Sequence, residues 1–576
     1  MKKSVLGKKW QLRTTALESI KQIQDDHDLP ELLARILVGR NVDSEHAEHF
    51  INPKLKYTLP DPFHLLGMKE AVLRVQEAIR EQETIAIFGD YDCDGATSSS
   101  LLRRYFRMID YKNVVTYIPD RMKEGYGPNI DAMRKLKKDN KASVIITVDC
   151  GIVSYEPLRL AKEEGIDVIV IDHHIGNKEL PDAVAVINPN RFDETSSYTN
   201  LAAVGVSFLF VVALTKELNY NMKPDLLSLL DIVALGTVCD VMTLTGLNRT
   251  LVRQGLKVMS SRQNIGIKAL CDSAGLYDDI TTYHCGYILG PRINAGGRIG
   301  KAALGSMLLT TTDAKQALSI AERLTIYNND RKDMEKGITE QAMAKAKEFV
   351  TENSSIVLVT DDSWHAGLIG IVASRLKSKF DLPAAVGTRD GDNYKFSARS
   401  VPGVNLGGAV IQAQVLGIIE QGGGHAMAAG FSVKAENISE LILFFQERFA
   451  DDIKEYRKNR RYKYDCLLNV NEVDVELINK VNLLGPYGTG NPEPRFAFRC
   501  QVTETKAIGK DANHVKCTLS DKDTGVFIEG VAFNATSNGI MEALMNNSDC
   551  TLVGKLTINS WQNKETVNLI IEDVII

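Results

Sequence analysis

The sequence predicts an α/β protein with a mainly parallel sheet, a long connecting helix, a second α/β unit and a small C-terminal β-barrel. Three observations support this fold class. Apolar runs rich in β-branched residues recur after residue 84, spaced for intervening helices, as is typical of buried parallel strands. The stretch from Asp313 to about Val350 is strongly helical, with one glycine and no proline. Five short strand patterns then occupy the C-terminal part of the chain.

Length and composition are those of a multidomain globular protein. The 576 residues suggest about four domains, and 44% hydrophobic with 24% charged residues is an ordinary balance. No segment approaches the ~20 apolar residues of a membrane span, and the basic N-terminus lacks the apolar core of a secretory signal. The nine cysteines form no CxxC pair, so a reducing cytoplasm is the expected location.

The patterns divide the chain into five segments. These are a helical preface (1–80), a first α/β domain (81–312), a connecting helix (313–350), a second α/β domain (351–453), and a basic linker with a β-barrel (454–576). In the first α/β domain the expected strands are TIAIFGD, VVTYIPD, VIITVD, VIVIDHH and AVAVINP, with helical patterns between them. This alternation predicts right-handed crossovers over a parallel sheet.

Three of these strands end on acidic residues. The strand ends carry Asp90, Asp92 and Asp94, then Asp149, then Asp172 with His173 and His174. Ligands collect outside the carboxyl ends of parallel strands, so we expect these side chains to meet at one edge of the sheet. A fourth acidic position, Asp240, closes the apolar stretch LGTVCD. So many carboxylates need cations to offset their repulsion, which predicts a metal centre.

The ligand types favour Mn²⁺ and also suit Mg²⁺, and the absence of cysteine ligands argues against structural zinc. Each motif alone has an ordinary alternative. An Asp-x-Asp pair also occurs in calcium loops and helix N-caps, and Asp240 could simply end a helix. Cys93, Cys150 and Cys239 adjoin the acids. Their small size is the first explanation and redox sensing the second.

Other motifs contain residues that are suited to binding phosphate. GPRINAGGRIG supplies Arg292, Asn294 and Arg298 on an expected glycine-rich loop, where arginine can grip phosphate with its planar fork. An exposed turn without a ligand is the alternative.

The second α/β domain offers a further phosphate-binding wall. FSARS contains Ser397 and Arg399, and GGGHAMAAG is expected to place His425 in a glycine-rich turn that enters a helix of small residues. WHAGLIGIVASRL predicts a loop and a helix start beside His365. Glycine-rich turns at helix starts bind anions, so these three motifs together favour a phosphate site.

The C-terminal region favours single-stranded nucleic acid. The run Lys454–Lys463 holds six basic residues and two tyrosines, a mixture that suits a single-strand channel, although a solvated linker explains it equally well. The five strand patterns that follow fit an OB-type barrel, a fold that commonly binds single strands. A small β-sandwich is the alternative.

In this order, GDYDCDG, TVDCG, DHH and GTVCD resemble the motifs of the DHH phosphoesterases, and the second α/β domain resembles their DHHA1 domain. The resemblance runs from about Trp10 to the C-terminus and implies two divalent metal ions, Mn²⁺ or Mg²⁺. The implied ligands are Asp92, Asp94, Asp149, His173 and Asp240, with Asp90 and His174 close by as ligands or as supporting residues.

The same resemblance implies how substrate is held. Phosphate would be bound by Arg298, Ser397 and Arg399, with Arg121 of IPDRMKEGYG as a further candidate. His425 would lie near the cut bond. His173 would ligate metal, while His174 or His425 would assist the reaction.

One departure from the wider family is informative. Small DHH phosphoesterases carry a histidine where this chain has Phe88, so one of their metal ligands is missing here. Together with the barrel, this favours the branch that degrades single-stranded DNA from the 5′ end in repair and recombination. The implied partners are single-stranded DNA, a single-strand-binding protein and a helicase, with a monomeric enzyme. Alternatives are a phosphodiesterase for short oligonucleotides or cyclic dinucleotides, and a non-catalytic DNA-binding scaffold.

Overall fold

The computed structural model of the chain describes residues 4–121, 123–218, 223–546, 549–561 and 564–576. The chain forms two compact units. The first comprises Met1–Gly290, Gly305–Ala317 and Arg461–Ile576, and the second comprises Pro291–Leu304 and Leu318–Arg460. Every helix in the described part of the chain is too short or too polar to span a bilayer.

The N-terminal region is mainly helical, as predicted. Its elements are β1 (Trp10–Leu12), α1 (Leu17–His27), α2 (Glu31–Val38), α3 (Ser44–Ile51), α4 (Leu55–Thr58) and α5 (Met68–Arg80). Helices α1–α3 bury Ile23, Leu33 and Ala47 in one core with residues of the C-terminal barrel, such as Phe498. The preface therefore packs on the far end of the chain, a long-range contact that no local pattern indicates.

The first α/β domain contains the predicted parallel sheet. Its elements are β2 (Thr84–Gly89), α6 (Cys93–Met108), β3 (Val114–Tyr117), α7 (Ile130–Asn140), β4 (Ala142–Val148), α8 (Tyr155–Glu163), β5 (Asp167–Ile171), β6 (Ala185–Ile187), α9 (Ala203–Glu217), α10 (Leu230–Cys239), α11 (Gly246–Ser260) and α12 (Ile265–Ser273). The strand order is β3-β2-β4-β5-β6, and every pairing is parallel. The strand that follows β2 in the chain, β3, lies on one side of β2, and the strand that follows β4, β5, lies on the opposite side of β4. The topological switch point therefore lies between β2 and β4.

Helices α9 and α10 are apolar around most of their circumference and almost wholly buried. A helix that is hydrophobic on all sides belongs in a core, not on a surface. These two helices pack against α6, and their ends supply groups to the site described below.

A single turn of π-helix (His284–Leu289) leads into α13 (Gly290–Ile299), α14 (Ala303–Thr310) and the long α15 (Ala314–Phe349). The 36-residue α15 is the predicted connecting helix. The expected glycine-rich loop at GPRINAGGRIG is wrong, because this stretch is the helix α13. Gly300, just after it, packs against the ring of Tyr327, where a Cβ would lie 2.3 Å from a ring carbon. Glycine here serves close helix packing.

The second α/β domain has a mixed sheet. Its elements are β7 (Val357–Thr360), α16 (Ile369–Phe380), β8 (Ala384–Asp390), β9 (Asn393–Arg399), α17 (Leu406–Val415), β10 (Gln421–His425), β11 (Ala428–Lys434), α18 (Ile438–Arg448) and α19 (Ala450–Asn459). The expected helix after His425 is wrong, because GGGHAMAAG forms the β10–β11 hairpin. Close backbone packing requires glycine at Gly424, where a Cβ would lie 2.4 Å from the carbonyl oxygen of Ala428, and at Gly407 of α17, where a Cβ would lie 2.7 Å from the carbonyl oxygen of Gly424.

The C-terminal region forms a closed barrel. Its elements are β12 (Tyr462–Tyr464), β13 (Cys466–Leu468), α20 (Val475–Asn482), β14 (Phe496–Ile508), β15 (His514–Ser520), β16 (Phe527–Ala532), α21 (Ile540–Asn546), β17 (Asp549–Trp561) and β18 (Lys564–Ile575). The order β14-β15-β16-β18-β17 closes through a β14–β17 pairing, which confirms an OB-type barrel over a β-sandwich.

The basic run has structural contacts at several positions. The Arg457 guanidinium donates to the carbonyl of Glu352, and Arg460 pairs with Asp381. Further along, Tyr462–Tyr464 pairs in parallel with Trp10–Leu12. Part of the run therefore serves the fold, and its first residues belong to α19.

Candidate metal centre

The carboxyl ends of β2, β4 and β5 bring the predicted acids and imidazoles together beside the switch point. Three overlapping groups of potential ligands form there, and within each group the ligand atoms lie within 4.8 Å of one another. They are Asp90 with Asp92 and Asp149; Asp94 with His173 and Asp240; and Asp149 with His173 and His174. Asp149 and His173 each belong to two groups, so the three groups form one continuous cluster.

The loop after β2 is shaped by its own acids. The Asp92 carboxylate caps α6 by accepting from the backbone N–H groups of Asp94 (2.9 Å) and Gly95 (3.1 Å). At Gly95 a Cβ would lie 2.4 Å from the carbonyl oxygen of Asp90, so only glycine permits this tight turn. The turn places three acids within five residues on the same edge of the sheet.

Asp94 is held by the N-terminus of α9. Its carboxylate accepts from the backbone N–H groups of Ala203 (2.7 Å) and Val204 (3.0 Å), where the helix dipole favours negative charge. Burial, followed by the charge of Asp92, still raises the pKa of Asp94 to about 7. The buried apolar α9 thus positions one ligand without fully offsetting the charge beside it.

Asp149 occupies the strained corner after β4. It has a left-handed backbone (φ 62°), which is uncommon for a residue other than glycine and is concentrated at functional sites. Burial and the charges of Asp92, Asp94 and Asp90 hold the pKa of Asp149 well above its ordinary value. Tyr126 donates from its hydroxyl to the Asp149 carbonyl (3.0 Å), so the corner is braced from outside the sheet.

The two imidazoles have different pKa values because Asp172 accepts a hydrogen bond from the ring of His174 only. The buried Asp172 carboxylate accepts from the backbone N–H groups of His173 and His174 and from His174 Nδ1 at 2.8 Å. Burial lowers the pKa of His174, but the hydrogen bond and charge of Asp172 outweigh burial and raise it to about 9. Burial, with the charge of His174, lowers the pKa of His173 to about 4, so His173 is a neutral imidazole suited to metal ligation.

Two asparagines fix the backbone of this loop. Asn188 donates from its amide to the carbonyl of His174 (2.8 Å), and Asn190 donates to the carbonyl of His173 (2.6 Å). These contacts hold the tandem imidazoles against the sheet edge.

Asp240 completes the cluster from the C-terminal end of α10. Its Oδ2 atom lies 3.6 Å from His173 Nε2, and the same imidazole nitrogen lies 3.3 Å from Asp149 Oδ1 and 3.9 Å from Asp94 Oδ2. Burial, with the charges of Asp94 and Asp92, raises the pKa of Asp240 to about 9. The next residue, Val241, has a left-handed backbone (φ 59°), as expected where a helix ends abruptly.

The donor set fits divalent cations. Asp90 Oδ1 and Asp240 Oδ2 are buried acceptor atoms without a hydrogen-bond donor among the described residues. A buried unsatisfied carboxylate oxygen is costly unless a ligand completes it. Carboxylate oxygens with one or two imidazoles match Mn²⁺ and Mg²⁺.

The second unit gathers three predicted phosphate ligands at one corner. Ser397 and Arg399 lie on β9 beside the start of α16, where a Cβ on Gly370 would lie 2.9 Å from Ser397 Oγ and 3.2 Å from Arg399 Nη2. Arg298 reaches the same helix start by donating to the carbonyl of Gly367 (2.9 Å). Burial lowers the pKa of Arg399, and no carboxylate among the described residues pairs with it. A helix N-terminus with a half-buried arginine suits an anion.

The remaining predicted residues are placed differently. Arg292 is buried and its Nε donates to Thr325 Oγ1 (3.2 Å), so it packs α13 on α15, and Asn294 is half-buried on the same helix. His425 is exposed at the end of β10, in register with Ala428, which pairs with Arg399. In the first unit, the Arg121 guanidinium lies 4.9 Å from the ring centre of Tyr91.

The sequence placed Asp172 at the acidic sheet edge without predicting its contacts, and it did not indicate Tyr126 or Asn190, which also contact the cluster. Asp172, Tyr126 and Asn190 orient the imidazoles and the Asp149 corner, as described above. The only sequence signal was the adjacency of Asp172 to the tandem histidines. The contacts of Tyr126 and Asn190 arise from loop folding that no periodicity indicates.

Family comparisons agree with this arrangement. The DHH family, N-terminal domain, matches residues 84–237, the DHHA1 domain matches 352–451 and the RecJ OB domain matches 464–573. The fold and site therefore define a DHH-class protein that carries a DHHA1 domain and an OB barrel.

Comparison with individual relatives identifies the family within this class. The single-stranded-DNA-specific exonuclease RecJ of Bacillus subtilis is 35% identical over 570 residues, which cover 98% of this chain and 70% of that protein. The crystal structure of RecJ from Thermus thermophilus with Mn²⁺ has a TM-score of 0.80 at 26% identity and covers 98% of this chain and 79% of that one. Its Mg²⁺ complex has a TM-score of 0.77 at 24% identity, with coverage of 99% and 78%. The chain belongs to the RecJ family.

Proposed function

We propose that this protein is a metal-dependent exonuclease that hydrolyses phosphodiester bonds in single-stranded DNA, proceeding from the 5′ end. The observation that carries the proposal is the continuous carboxylate–imidazole cluster at the switch point of the parallel sheet. The family supplies the substrate class, because the B. subtilis relative is specific for single-stranded DNA.

We assign two divalent ions to the cluster, Mn²⁺ or Mg²⁺. Asp90, Asp92 and Asp149 would hold one, and Asp94, His173, Asp240 and again Asp149 would hold the other. Asp149 would contribute to both positions, because it belongs to two ligand groups and lies 3.3 Å from His173 Nε2. The unsatisfied oxygens of Asp90 and Asp240 support both positions.

When bound, such a pair of ions activates water and stabilises the charge on the attacking and leaving oxygens of a phosphodiester. The protein's own residues prepare this chemistry. Asp94 is oriented by α9, and His173 stays neutral for ligation. His174 carries a proton held by Asp172, which positions a cationic donor for the developing phosphate charge or the leaving group. Serine and cysteine nucleophiles are unnecessary.

We assign the 5′ end of the strand to the corner of Arg298, Ser397 and Arg399. Arginine binds phosphate bidentately without reading sequence, and the N-terminus of α16 adds backbone donors. Sequence-independent digestion from a phosphorylated end follows. His425 and Arg121 remain further candidates for phosphate contact, and we place Arg292 and Asn294 in support of α13.

Digestion of a 5′-labelled single strand, a 3′-labelled single strand and a duplex tests the proposal. With Mn²⁺ we expect mononucleotides from the 5′ end of the single strands, little cleavage of a blunt duplex, and none in EDTA. Asp149→Ala should abolish cleavage yet still bind the strand, whereas Asp193→Asn, an exposed acid outside the cluster, should behave as wild type. Cleavage that persists in EDTA would refute the metal centre.

The same assay, with a dinucleotide as an additional substrate, distinguishes the proposed exonuclease from a phosphodiesterase for short oligonucleotides. It would turn over a dinucleotide much faster than a long strand, while the proposed enzyme prefers the long strand. We further propose, from the family likeness, a monomeric cytoplasmic enzyme that works with a single-strand-binding protein and a helicase.

A further inference from the structure

Two free cysteines stand directly beside the proposed metal ligands, and the mechanism given above does not use them. Cys93 is the first residue of α6 and lies between Asp92 and Asp94. Cys239 is the last residue of α10 and directly precedes Asp240. A hydrogen bond joins the two thiols. Two sulfur atoms in contact on neighbouring helices are the starting arrangement for a disulfide.

The backbones of α6 and α10 approach each other closely at this level. A Cβ on Gly236 of α10 would lie 2.3 Å from Thr97 Oγ1 and 3.1 Å from Asp94 Oδ1, so the contact requires glycine. Gly236 lies about one helical turn before Cys239, and Thr97 lies about one turn after Cys93. A disulfide forms only between cysteines whose Cα atoms lie within about 7 Å of each other, and this packing supplies the close approach.

The Cys239 sulfur is fixed in position and within reach of solvent. It donates to the carbonyl of Cys285 (3.4 Å), and a Cβ on Gly290 would lie 2.2 Å from it. Cys239 is half-buried and lines an open groove of about 1080 Å³, whereas Cys93 is only 1% exposed. A small oxidant therefore reaches Cys239 first, and the buried Cys93 is placed to react second.

We propose that Cys93 and Cys239 form a peroxide-sensitive thiol pair, and that oxidation of the pair to a disulfide inactivates the neighbouring metal centre. The oxidant is a hydroperoxide such as H₂O₂. The inactivation rests on the proposed function, whereas formation of the disulfide does not.

The reaction consumes one H₂O₂ for each disulfide. The Cys239 sulfur attacks one peroxide oxygen and the O–O bond breaks, which gives a sulfenic acid, while the departing hydroxyl takes the thiol proton and leaves as water. The Cys93 sulfur then attacks the sulfenic sulfur, and the S–O bond breaks. The proton of Cys93 leaves with this hydroxyl as a second water. The two thiols lose two electrons and the peroxide gains both. A dithiol reductant reverses the change through a mixed disulfide.

The disulfide would displace metal ligands on both helices. A covalent S–S bond is shorter than a thiol–thiol hydrogen bond, so the start of α6 and the end of α10 must move together. Asp92 and Asp94 flank one sulfur, and Asp240 adjoins the other. Metal sites tolerate changes in ligand distance of only about 0.2 Å, and a misplacement of about 1 Å costs roughly 100-fold in rate. The oxidised protein should therefore bind metal weakly and cleave slowly.

The test measures the disulfide and its effect separately. Wild type is treated with H₂O₂ in EDTA, catalase removes the excess, and mass spectrometry identifies linked peptides. Mn²⁺ is then added, and degradation of a 5′-labelled single strand is measured before and after dithiothreitol. Cys239→Ser and Cys93→Ala each remove one member of the pair. Cys550→Ala is the matched control, because Cys550 is half-buried like Cys239 and lies directly opposite Cys500 across β14 and β17.

We expect a peptide that links Cys93 to Cys239 and a rate about 100-fold lower than that of the reduced protein. Dithiothreitol should restore the rate, because a disulfide is reversible and a sulfinic acid is not. Cys239→Ser should keep its activity after peroxide, and Cys550→Ala should be inactivated like wild type. In Cys93→Ala the reaction should stop at the sulfenic acid of Cys239, which dimedone traps.

Three results would overturn the inference. Absence of the linked peptide from oxidised wild type would exclude the thiol pair, whether or not any variant folds. Inactivation of Cys239→Ser as fast as wild type would place the sensitive group elsewhere. A linked wild type with undiminished activity would exclude the inactivation. Failure of the proposed function is recognised separately, because the reduced wild type would then leave the strand intact. The peptide map and the Kd for Mn²⁺ of reduced and oxidised protein would still test the pair.

Discussion

The proton content of the metal-free cluster predicts how metal binding depends on pH. Burial and neighbouring carboxylates raise the pKa of Asp240 to about 9 and the pKa of Asp94 to about 7. At pH 7 Asp240 is therefore almost wholly protonated, and Asp94 is about half protonated. A cation can be ligated only after these protons leave.

The size of the pH effect on metal binding follows from the pKa values of Asp240 and Asp94. Binding at pH 7 should release about one proton from Asp240 and about half a proton from Asp94. Deprotonating Asp240 about two pH units below its pKa costs about 3 kcal/mol, or a factor of ~100 in apparent affinity. Raising the pH from 7 to 8 should recover about tenfold of that factor from this group alone.

Isothermal titration calorimetry with Mg²⁺, in buffers of different ionisation enthalpy, counts the released protons. Asp240→Asn removes both the ligand charge and its proton, so this variant should release about one proton fewer at pH 7 and show a weaker pH dependence. Asp193→Asn, at an exposed site paired with Arg191, should match wild type. Proton release near zero in wild type, or undiminished release in Asp240→Asn, would refute the reasoning.

Three further predictions concern stability and specificity. The stability that the protonated Asp94 and Asp240 confer is present below their unfolded pKa near 3.8 and is lost as pH rises through about 7 and 9. The rise in Tm on adding Mg²⁺ should therefore grow between pH 6 and 9 by differential scanning fluorimetry; a constant rise would contradict this. Arg399→Ala should reduce the preference for a 5′-phosphorylated over an unphosphorylated strand, while Arg389→Ala, at an exposed position in the same domain, should not; an unchanged ratio in both would reject the phosphate role. Gly95→Ala should lower the free energy of unfolding in urea by about 1–3 kcal/mol, because its Cβ would lie 2.4 Å from a backbone oxygen, whereas Gly337→Ala, with nothing within 4 Å in α15, should raise it by about 0.5–1 kcal/mol; equal effects would disprove the crowding at Gly95.

The sequence was most informative where local pattern and fold topology coincide. The strands before Asp90, Asp149 and Asp172 are apolar, and parallel pairing necessarily brings their carboxyl ends to one edge. For that reason the cluster could be predicted without coordinates. The OB-type barrel was also predictable, because buried and exposed positions alternate along strands such as β15 and β16.

Glycine-rich segments were misinterpreted for one physical reason. Glycine marks both tight turns and close packing, and sequence alone does not separate these uses. Near Gly300 the partner is Tyr327, and at Gly407 it is the backbone of Gly424. Each partner is distant along the chain or belongs to another element, so a loop and a helix were expected where α13 and a hairpin occur.

Contacts that depend on loop folding account for the other omissions. The orienting role of Asp172 was not predicted, because it depends on the His174 ring turning back onto this carboxylate. Thr282 donates to the carbonyl of Tyr487, a residue 205 positions further along the sequence. No periodicity in either segment indicates the other.

The central claim is that acids and imidazoles from separate strands share a pair of cations. Anomalous diffraction from crystals soaked in Mn²⁺ tests it most directly. The account predicts two manganese peaks roughly 3.5–4 Å apart, with Asp149 between them, one beside Asp90 and Asp92 and the other beside Asp94, His173 and Asp240. Peaks only at other acidic positions, or no manganese within this cluster, would contradict it.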